Sequence, residues 1–409
     1  MFANTSRTGS QPSTSFRKAV TGDFRMSAII RVLAICAILA TGNVWADDGR
    51  LTAAEAEEYG WNRQIVSQNG FRISIELLPE REIDPGWKAE RFPDHAVCYR
   101  SPKEIAAIYA KVLEGKKEPF TSYPKPKDGA LRIVGTGHSF MMPGYATFPA
   151  IARAAGFSQP PLVLHLEGGY KGSARYKWEE ENGVFQFDGR PKPKLLASIA
   201  NAEWDVMMWG PSPHDRPAYY ACWIDFCLKY NPQMKFYLSN SWPMLLKQLD
   251  KVPTSEDEIT AEAVVQMGEM FQYTYSAIVR KLNKKYPGKV FVLPTCDAMV
   301  LALQSYKRGE LPGVEGIHRL IGKKERSIWK DAIGHLGPGF ERLEGYVFYA
   351  TLYGRSPELI AGDITFAKSA DYPGRDLDRT FRKIAWQAAV NNPLSGVVDK
   401  DGNGIRDKR

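Results

Sequence analysis

A three-layer α/β/α sandwich around a five-stranded, mainly parallel sheet is predicted by three features of this 409-residue sequence. Short apolar runs recur, each followed by a loop and then a helical pattern. That rhythm makes parallel strands joined by right-handed crossovers. The runs are apolar throughout, as strands buried on both faces must be. Each run ends in residues suited to tight loops, at the sheet edge where such folds bind ligands.

The regular pattern begins at residue 131. Strand 131–134 runs into Gly135-Thr136-Gly137-His138-Ser139, and helix 145–155 follows. Strand 162–166 ends in Glu167-Gly168-Gly169 and precedes a helix at 194–202. Strand 204–209 ends in Gly210-Pro211, with a helix at 216–230. Strand 235–238 ends in Ser239-Asn240-Ser241. After it, 259–284 carries Ala, Val, Met and Phe on one face, as a long packed helix does. Strand 289–293 ends near Pro294, and the last predicted helix is 339–353. Upstream, 51–59 reads as a short acidic helix and 71–77 alternates like a strand. Residues 101–113 read as a helix capped by Ser101 with Pro102 in its first turn, and the Lys/Pro-rich 116–128 as a linker. The sandwich is thus assigned to 131–360, between an N-terminal extension at 47–130 and a C-terminal tail at 361–409.

The first 46 residues read as an export signal that starts at Met26. Arg31 is followed by the apolar run 32–40, and Val44 and Ala46 suit cleavage before Asp47. The run is short for a bilayer span, no later stretch approaches one, and Ile35 before Cys36 argues against a lipoprotein. An uncleaved anchor is the alternative. The mature chain is therefore expected outside the cytoplasm, periplasmic or secreted. Composition is ordinary for a globular protein, 44% hydrophobic and 24% charged, which excludes wholesale disorder, collagen and coiled coil. About half of the formal net charge of +8 lies in the leader, and no Lys/Arg run with interleaved aromatics follows, so nucleic acid is not an expected partner. Beyond the leader stand Cys98, Cys222, Cys227 and Cys296. In an oxidising compartment they permit two disulfides in three connectivities, and spacing does not choose among them.

The chemistry is expected at the strand ends. A serine directly after a strand and before a helix can lie where backbone N–H groups favour a developing oxyanion. Ser139 is so placed, although serine is also a common helix cap. Near the end of the predicted domain, Asp331 and His335 share a Gly/Pro-rich loop just before the last helix. A histidine held by a carboxylate is what a serine nucleophile needs to lose its proton. His214 beside Asp215 is the reserve choice for the base.

In these blocks the chain resembles the SGNH (GDSL-like) hydrolases, a superfamily of secreted esterases with a flavodoxin-like sandwich. Gly-Thr-Gly-His-Ser139 is similar to the family's serine block, Gly168 or Gly169 to its second-block glycine, and Asp331 with His335 to its closing Asp/His pair. The resemblance covers about residues 131–360 and implies a serine ester hydrolase. Ser139 would be nucleophile, His335 base and Asp331 orienter, with the Ser139 and Gly169 N–H groups holding the oxyanion. Two departures stand out. The Asp and His are four apart instead of three, with Gly334 able to absorb the extra residue. The third block lacks its asparagine: Gly210-Pro211-Ser212 stands there, leaving Gly210, Ser212 or Asn240 as substitute oxyanion or substrate contacts. Those departures keep a second reading in play, a catalytically impaired carbohydrate-binding or cell-envelope protein on the same fold.

Among the other histidines, His138 abuts the serine as a candidate substrate contact, His165 reads as a core residue, and His95 and His318 as surface or loop residues. No spacing of histidines suggests a catalytic metal. Trp209 and Trp242, nearest the strand ends, are expected mainly in the core, with sugar stacking as the alternative. The latter would make the substrate a carbohydrate ester; otherwise it is a small-molecule ester. No cofactor is required by this chemistry. Finally, Asp399, Asp401, Asn403 and Asp407 fall at positions 1, 3, 5 and 9 of a run with Gly404 at 6, which resembles the start of an EF-hand or dockerin calcium loop. A position-12 acid would fall beyond residue 409. The alternative is a polar disordered tail.

Overall fold

The computed structural model describes residues 64–66, 72–74, 101–112, 121–183, 191–210, 215, 217–249, 251–366 and 372–408. The leader, the expected helix at 51–59, His95, Cys98, Ser212 and His214 lie outside the described residues.

Five strands form one all-parallel sheet: β1 (Ile133–Gly137), β2 (Val163–Leu166), β3 (Val206–Trp209), β4 (Lys235–Ser239) and β5 (Val290–Leu293), in the order β2-β1-β3-β4-β5. Alternate residues serve opposite layers. Ile133, Met208, Tyr237 and Phe291 join one apolar core, and Val134, Met207, Phe236 and Val292 the other. Both faces of each strand are therefore covered, which is why the runs read as continuously apolar. Arg132 holds the starts of β1 and β3 together, its Nε and Nη2 each donating to the Asp205 carboxylate at 3.0 Å.

Helices α1 (Pro102–Val112), α3 (Ala174–Asn182), α4 (Lys194–Asn201) and α5 (Pro217–Tyr230) supply apolar side chains to the second core. Helices α2 (Met142–Ala154), α7 (Thr295–Lys307), α8 (Phe340–Tyr353) and α9 (Arg375–Asn391) supply the first. The long α6 (Ala261–Lys285) gives Val264 and Met267 to the first and Ile278 and Leu282 to the second. The architecture is the three-layer sandwich that the sequence predicts. No described helix is long and apolar enough to cross a membrane.

Three expectations need correction. Residues 361–409 are not a tail, because α9 inserts Leu377, Phe381, Ile384 and Ala388 into the core. Beyond it, the Leu394 carbonyl accepts the Val292 N–H at 2.9 Å, which covers the outer edge of β5. The domain boundary at 360 therefore falls inside one packed body. Secondly, β5 leads directly into α7 and then a small parallel pair, β6 (Gly316–His318) and β7 (Ser327–Trp329), none of which the sequence pattern revealed. Thirdly, Cys222, Cys227 and Cys296 are free and buried. The first two lie five positions apart on α5, about 140° around the helix, and cannot be bridged there.

The helices that follow the two candidate catalytic loops cross at very close range. A Cβ on Gly144 of α2 would strike the Phe348 ring, and one on Gly345 of α8 would strike Thr147 Oγ1 and Ile151. Helix α2 begins at Met141–Met142, earlier than predicted, with Pro143 in its first turn but no side-chain cap of its own. The cap comes from α8: Glu344 Oε2 accepts the Gly144 N–H at 2.7 Å. Thr147 Oγ1 also donates to the Glu341 carbonyl at 2.7 Å. Glu344 is 3% exposed and its other oxygen has no partner among the described residues. Burial pushes its carboxyl well above the ordinary 4.5, and the Gly144 N–H only partly opposes that. The folded protein thus keeps a proton that the unfolded chain releases as pH rises past 4.5. Stability from this seam is full in acid and falls as pH rises towards the raised value. Glu344→Gln keeps the acceptor and removes the titration. In urea unfolding at pH 5 and pH 8, the variant is expected to gain on the wild type at the higher pH.

Candidate active site

Strand β1 delivers the chain to a tight turn, His138 to Met141, closed by the Met141 N–H donating to the His138 carbonyl at 2.9 Å. Ser139 is its second residue and is half-buried. His138 serves the turn, with Nδ1 accepting the Phe140 N–H at 3.3 Å. The Ser139 N–H donates to no acceptor among the described residues.

The other half of the site hangs from β7. The neck of the 330–336 loop is closed by Lys330 N–H to His335 carbonyl at 3.0 Å and Gly337 N–H to Ile328 carbonyl at 2.7 Å. Within the loop, Asp331 Oδ1 accepts the N–H groups of Ile333, Gly334 and His335 at 3.1, 3.1 and 3.2 Å. Gly334 takes φ +94° and presses on Met244, a conformation an L side chain rarely adopts. With that conformation the loop brings His335 back to Asp331 across four residues.

These two loops bring the predicted residues together. His335 Nδ1 lies 2.8 Å from Asp331 Oδ2, and His335 Nε2 lies 2.8 Å from Ser139 Oγ. Burial would raise the Asp331 carboxyl, but hydrogen bonds from the His335 ring and N–H outweigh it and hold it below its ordinary value. An ionised carboxylate only accepts, so the imidazole proton sits on Nδ1 and Nε2 is free to accept the serine hydroxyl. The arrangement can draw the hydroxyl proton onto His335 while Asp331 orients the ring.

Two aromatic rings hold the halves in register. Phe140, next to Ser139, meets the His335 ring edge-on at 5.4 Å and stacks on Trp242 at 4.7 Å. Trp242 Nε1–H donates to the Gly334 carbonyl at 2.6 Å. Ser241 before it sits at φ +52°, an outlier for a residue with a side chain, costing on the order of 1 kcal/mol. Trp242 is 1% exposed and Trp209 is 0% exposed, so both lie in the core, as the sequence mainly predicts, and neither offers a face to a sugar.

The substitute oxyanion candidates fare less well. The Gly210 N–H already donates to the Thr136 carbonyl at 3.2 Å, so it has no proton for a substrate. Asn240 is wholly buried, donates to Asp297 at 2.7 Å and accepts the Cys296 N–H at 2.8 Å; it fastens the start of α7. Gly168 is exposed with open space around it. Gly169 opens the short helical turn Gly169–Gly172. The far end of that turn makes the contact: a Cβ on Gly172 would collide with the Gly137 carbonyl and the His138 nitrogen. Gly172 was missed, and the third glycine of the run 168–172 was its only signal.

Of the remaining histidines, His165 lies on β2 with Nε2 enclosed, and burial, reinforced by Lys177 and Lys194, lowers it to about 4. His318 is wholly buried at the end of β6, contrary to the expectation of a surface or loop residue.

The C-terminal loop is ordered against the end of α8. The Ser356 N–H donates to the Gly404 carbonyl, and the Arg406 N–H to the Gly354 carbonyl, both at 2.7 Å. Carboxylate oxygens of Asp399, Asp401 and Asp407 lie within 4.8 Å of one another. Asn403 Oδ1 accepts the Ile405 N–H at 2.8 Å. This all-oxygen donor set is of the kind a hard cation such as calcium takes.

The sequence matches no family model and no curated protein. Among solved structures it shows a likeness to a DUF4886 family protein from Bacteroides uniformis, at 10% identity and a TM-score of 0.41, over 63% of this chain and 94% of that one. A likeness at that level carries nothing about function.

The Trp242 hydrogen bond can be tested without reference to any activity. Trp242→Phe keeps a ring against Phe140 and removes the donor to Gly334. Amide exchange at residues 333–335 is expected to quicken roughly tenfold, with global stability falling by about 1–2 kcal/mol. Hydrogen-exchange mass spectrometry beside urea unfolding measures both.

Proposed function

We propose that this chain is an exported serine ester hydrolase of the SGNH type. The observation that carries the reading is the continuous hydrogen-bonded line from Ser139 Oγ through His335 to Asp331, with 2.8 Å at each step. Ser139 attacks the ester carbonyl as His335 Nε2 takes its proton. The imidazolium, steadied by Asp331, returns that proton to the leaving alcohol, and a water activated by His335 then releases the acyl group. The Ser139 N–H, which has no acceptor among the described residues, is one oxyanion donor. The Gly169–Gly172 backbone, seated against Gly137 and His138, is the source proposed for the second.

The buried tryptophans remove the reason for preferring a sugar ester. Met142, three residues after Ser139 at the start of α2, and Ile333, two residues before His335, are 52% and 51% exposed and are proposed as the apolar groups the site presents. A small ester with an apolar acyl or alkyl group suits them. The absence of a third-block asparagine favours a second reading, a catalytically impaired binding protein on this fold. The leader, with its charged start and short apolar run, supports export. The acidic loop at 399–407 is proposed as a structural calcium site, apart from the reaction.

Hydrolysis of p-nitrophenyl acetate is expected from the wild type. It should fall at least about a thousandfold in Ser139→Ala and in His335→Ala, with both variants still folded by circular dichroism. Wild-type protein without turnover would favour the binding reading, and turnover that survives Ser139→Ala would mean a different nucleophile. The butyrate ester is expected to outperform the acetate in kcat/KM, and Met142→Ser with Ile333→Ser to erase that preference.

A further inference from the structure

The loops after β2 and β3 both press on the peptide that precedes the serine. The Gly137 carbonyl, two residues before Ser139, accepts the Glu167 N–H at 3.1 Å. Gly172 is seated against the same carbonyl and the His138 nitrogen. From the other side, a Cβ on Gly210, just past β3, would strike Met141 and come to 3.1 Å from Gly137 Cα. Glycine permits this approach because it brings backbone up with no side chain between.

Asp215 ties those two loops together. It is buried, it lies five residues past Gly210, and its Oδ2 accepts the Ala174 N–H at 3.2 Å and the Tyr220 hydroxyl at 2.8 Å. Burial, reinforced by Asp215, holds the Tyr220 hydroxyl protonated far past its ordinary value of 10, so it serves as the donor. Ala174 opens α3, two residues after Gly172, and its carbonyl accepts the Trp223 Nε1–H at 2.8 Å. Tyr220 and Trp223 both belong to α5, so the start of α3 is fastened to a packed helix through its N–H and its carbonyl alike. Helix α3 already has a cap of its own, since Ser173 Oγ accepts the Tyr176 N–H at 3.1 Å. A carboxyl is costly to bury, and this one reaches across from another loop to a helix that is already capped.

We infer that Asp215 is a positioning residue for the oxyanion site: it holds the start of α3, and with it the Gly169–Gly172 turn, against the serine loop. This rests on the hydrolase reading above, in which that turn supplies the second donor. It also gives the third block a part despite its missing asparagine. The block grips the turn that meets the substrate, and Asp215 itself touches none of the reacting atoms.

Asp215→Ala and Asp215→Asn are compared with wild type in the full chain. Steady-state hydrolysis of p-nitrophenyl acetate is read beside inhibition by phenylboronic acid, which forms a tetrahedral adduct on a serine hydroxyl, and beside amide exchange and urea unfolding. In Asp215→Ala, kcat is expected to fall about ten- to a hundredfold with KM nearly unchanged, because a displaced oxyanion donor is felt in the transition state. The inhibition constant of the boronic acid should rise by a similar factor. Exchange at residues 172–174 should quicken about tenfold. Asp215→Asn keeps an oxygen for Ala174 and Tyr220 and should recover most of the rate. Should Asp215→Ala not fold, Tyr220→Phe, which removes one of the two donors to Oδ2, is expected to lower kcat about threefold. Wild-type kcat in a folded Asp215→Ala, or in Tyr220→Phe where that variant stands in, would overturn the inference. So would a loss that only tracks unfolding, or one that Asp215→Asn does not recover. A wild type without turnover would sink the hydrolase reading, and exchange at 172–174 would then decide on its own whether Asp215 holds the turn.

Discussion

The close crossing of α2 and α8 is the constraint on which the site depends. Ser139 and His335 are 196 residues apart, and each sits in the loop that leads into one of these helices. Where the helices touch, Gly144 and Gly345 have neighbours in the space a methyl group would need. Glu344 caps α2 from α8, and Thr147 reaches back to the Glu341 carbonyl. The helix after the serine and the helix after the histidine thus behave as one unit, and the loops at their starts inherit a fixed separation. Burying a carboxyl with one oxygen that has no partner among the described residues is the cost of that arrangement, and protonation keeps it tolerable.

On that base, the loops are stitched rather than merely adjacent. Phe140, Trp242 and the Gly334 carbonyl form a chain of contacts from the residue after the serine to the residue before the histidine. Asp331 takes part twice, one oxygen ordering its own loop and the other the imidazole. The strain at Ser241 is consistent with a backbone held in place by what Trp242 must reach.

Much of this was legible in the sequence, and what was missed has physical reasons. The five strands announced themselves because burial on both faces demands unbroken apolar runs, a purely local signal. Ser139, Asp331 and His335 were legible because each lies at a junction between a strand or loop and a helix, in a setting that limits its purpose. Helix α9 was hidden by its charges: Leu377, Phe381, Ile384 and Ala388 recur at helical spacing among Arg, Asp and Lys on its outer face. The short β6–β7 pair has three residues per strand, too few for a periodic pattern. Glu344 and Gly172 matter through partners distant in sequence or through main-chain contacts, such as the 200-residue separation of Glu344 and Gly144, which no local pattern carries. Asn240 misled for the converse reason: its place after a strand was right, but its amide is engaged at the start of α7.

The central claim is that this packing makes one serine hydroxyl nucleophilic through His335. Reaction with a fluorophosphonate, followed by intact-mass measurement and peptide mapping, tests it most directly. The account predicts a single adduct on Ser139, lost in His335→Ala while that variant stays folded. No adduct on the wild type, an adduct on another residue, or labelling of Ser139 that is indifferent to His335→Ala would contradict it.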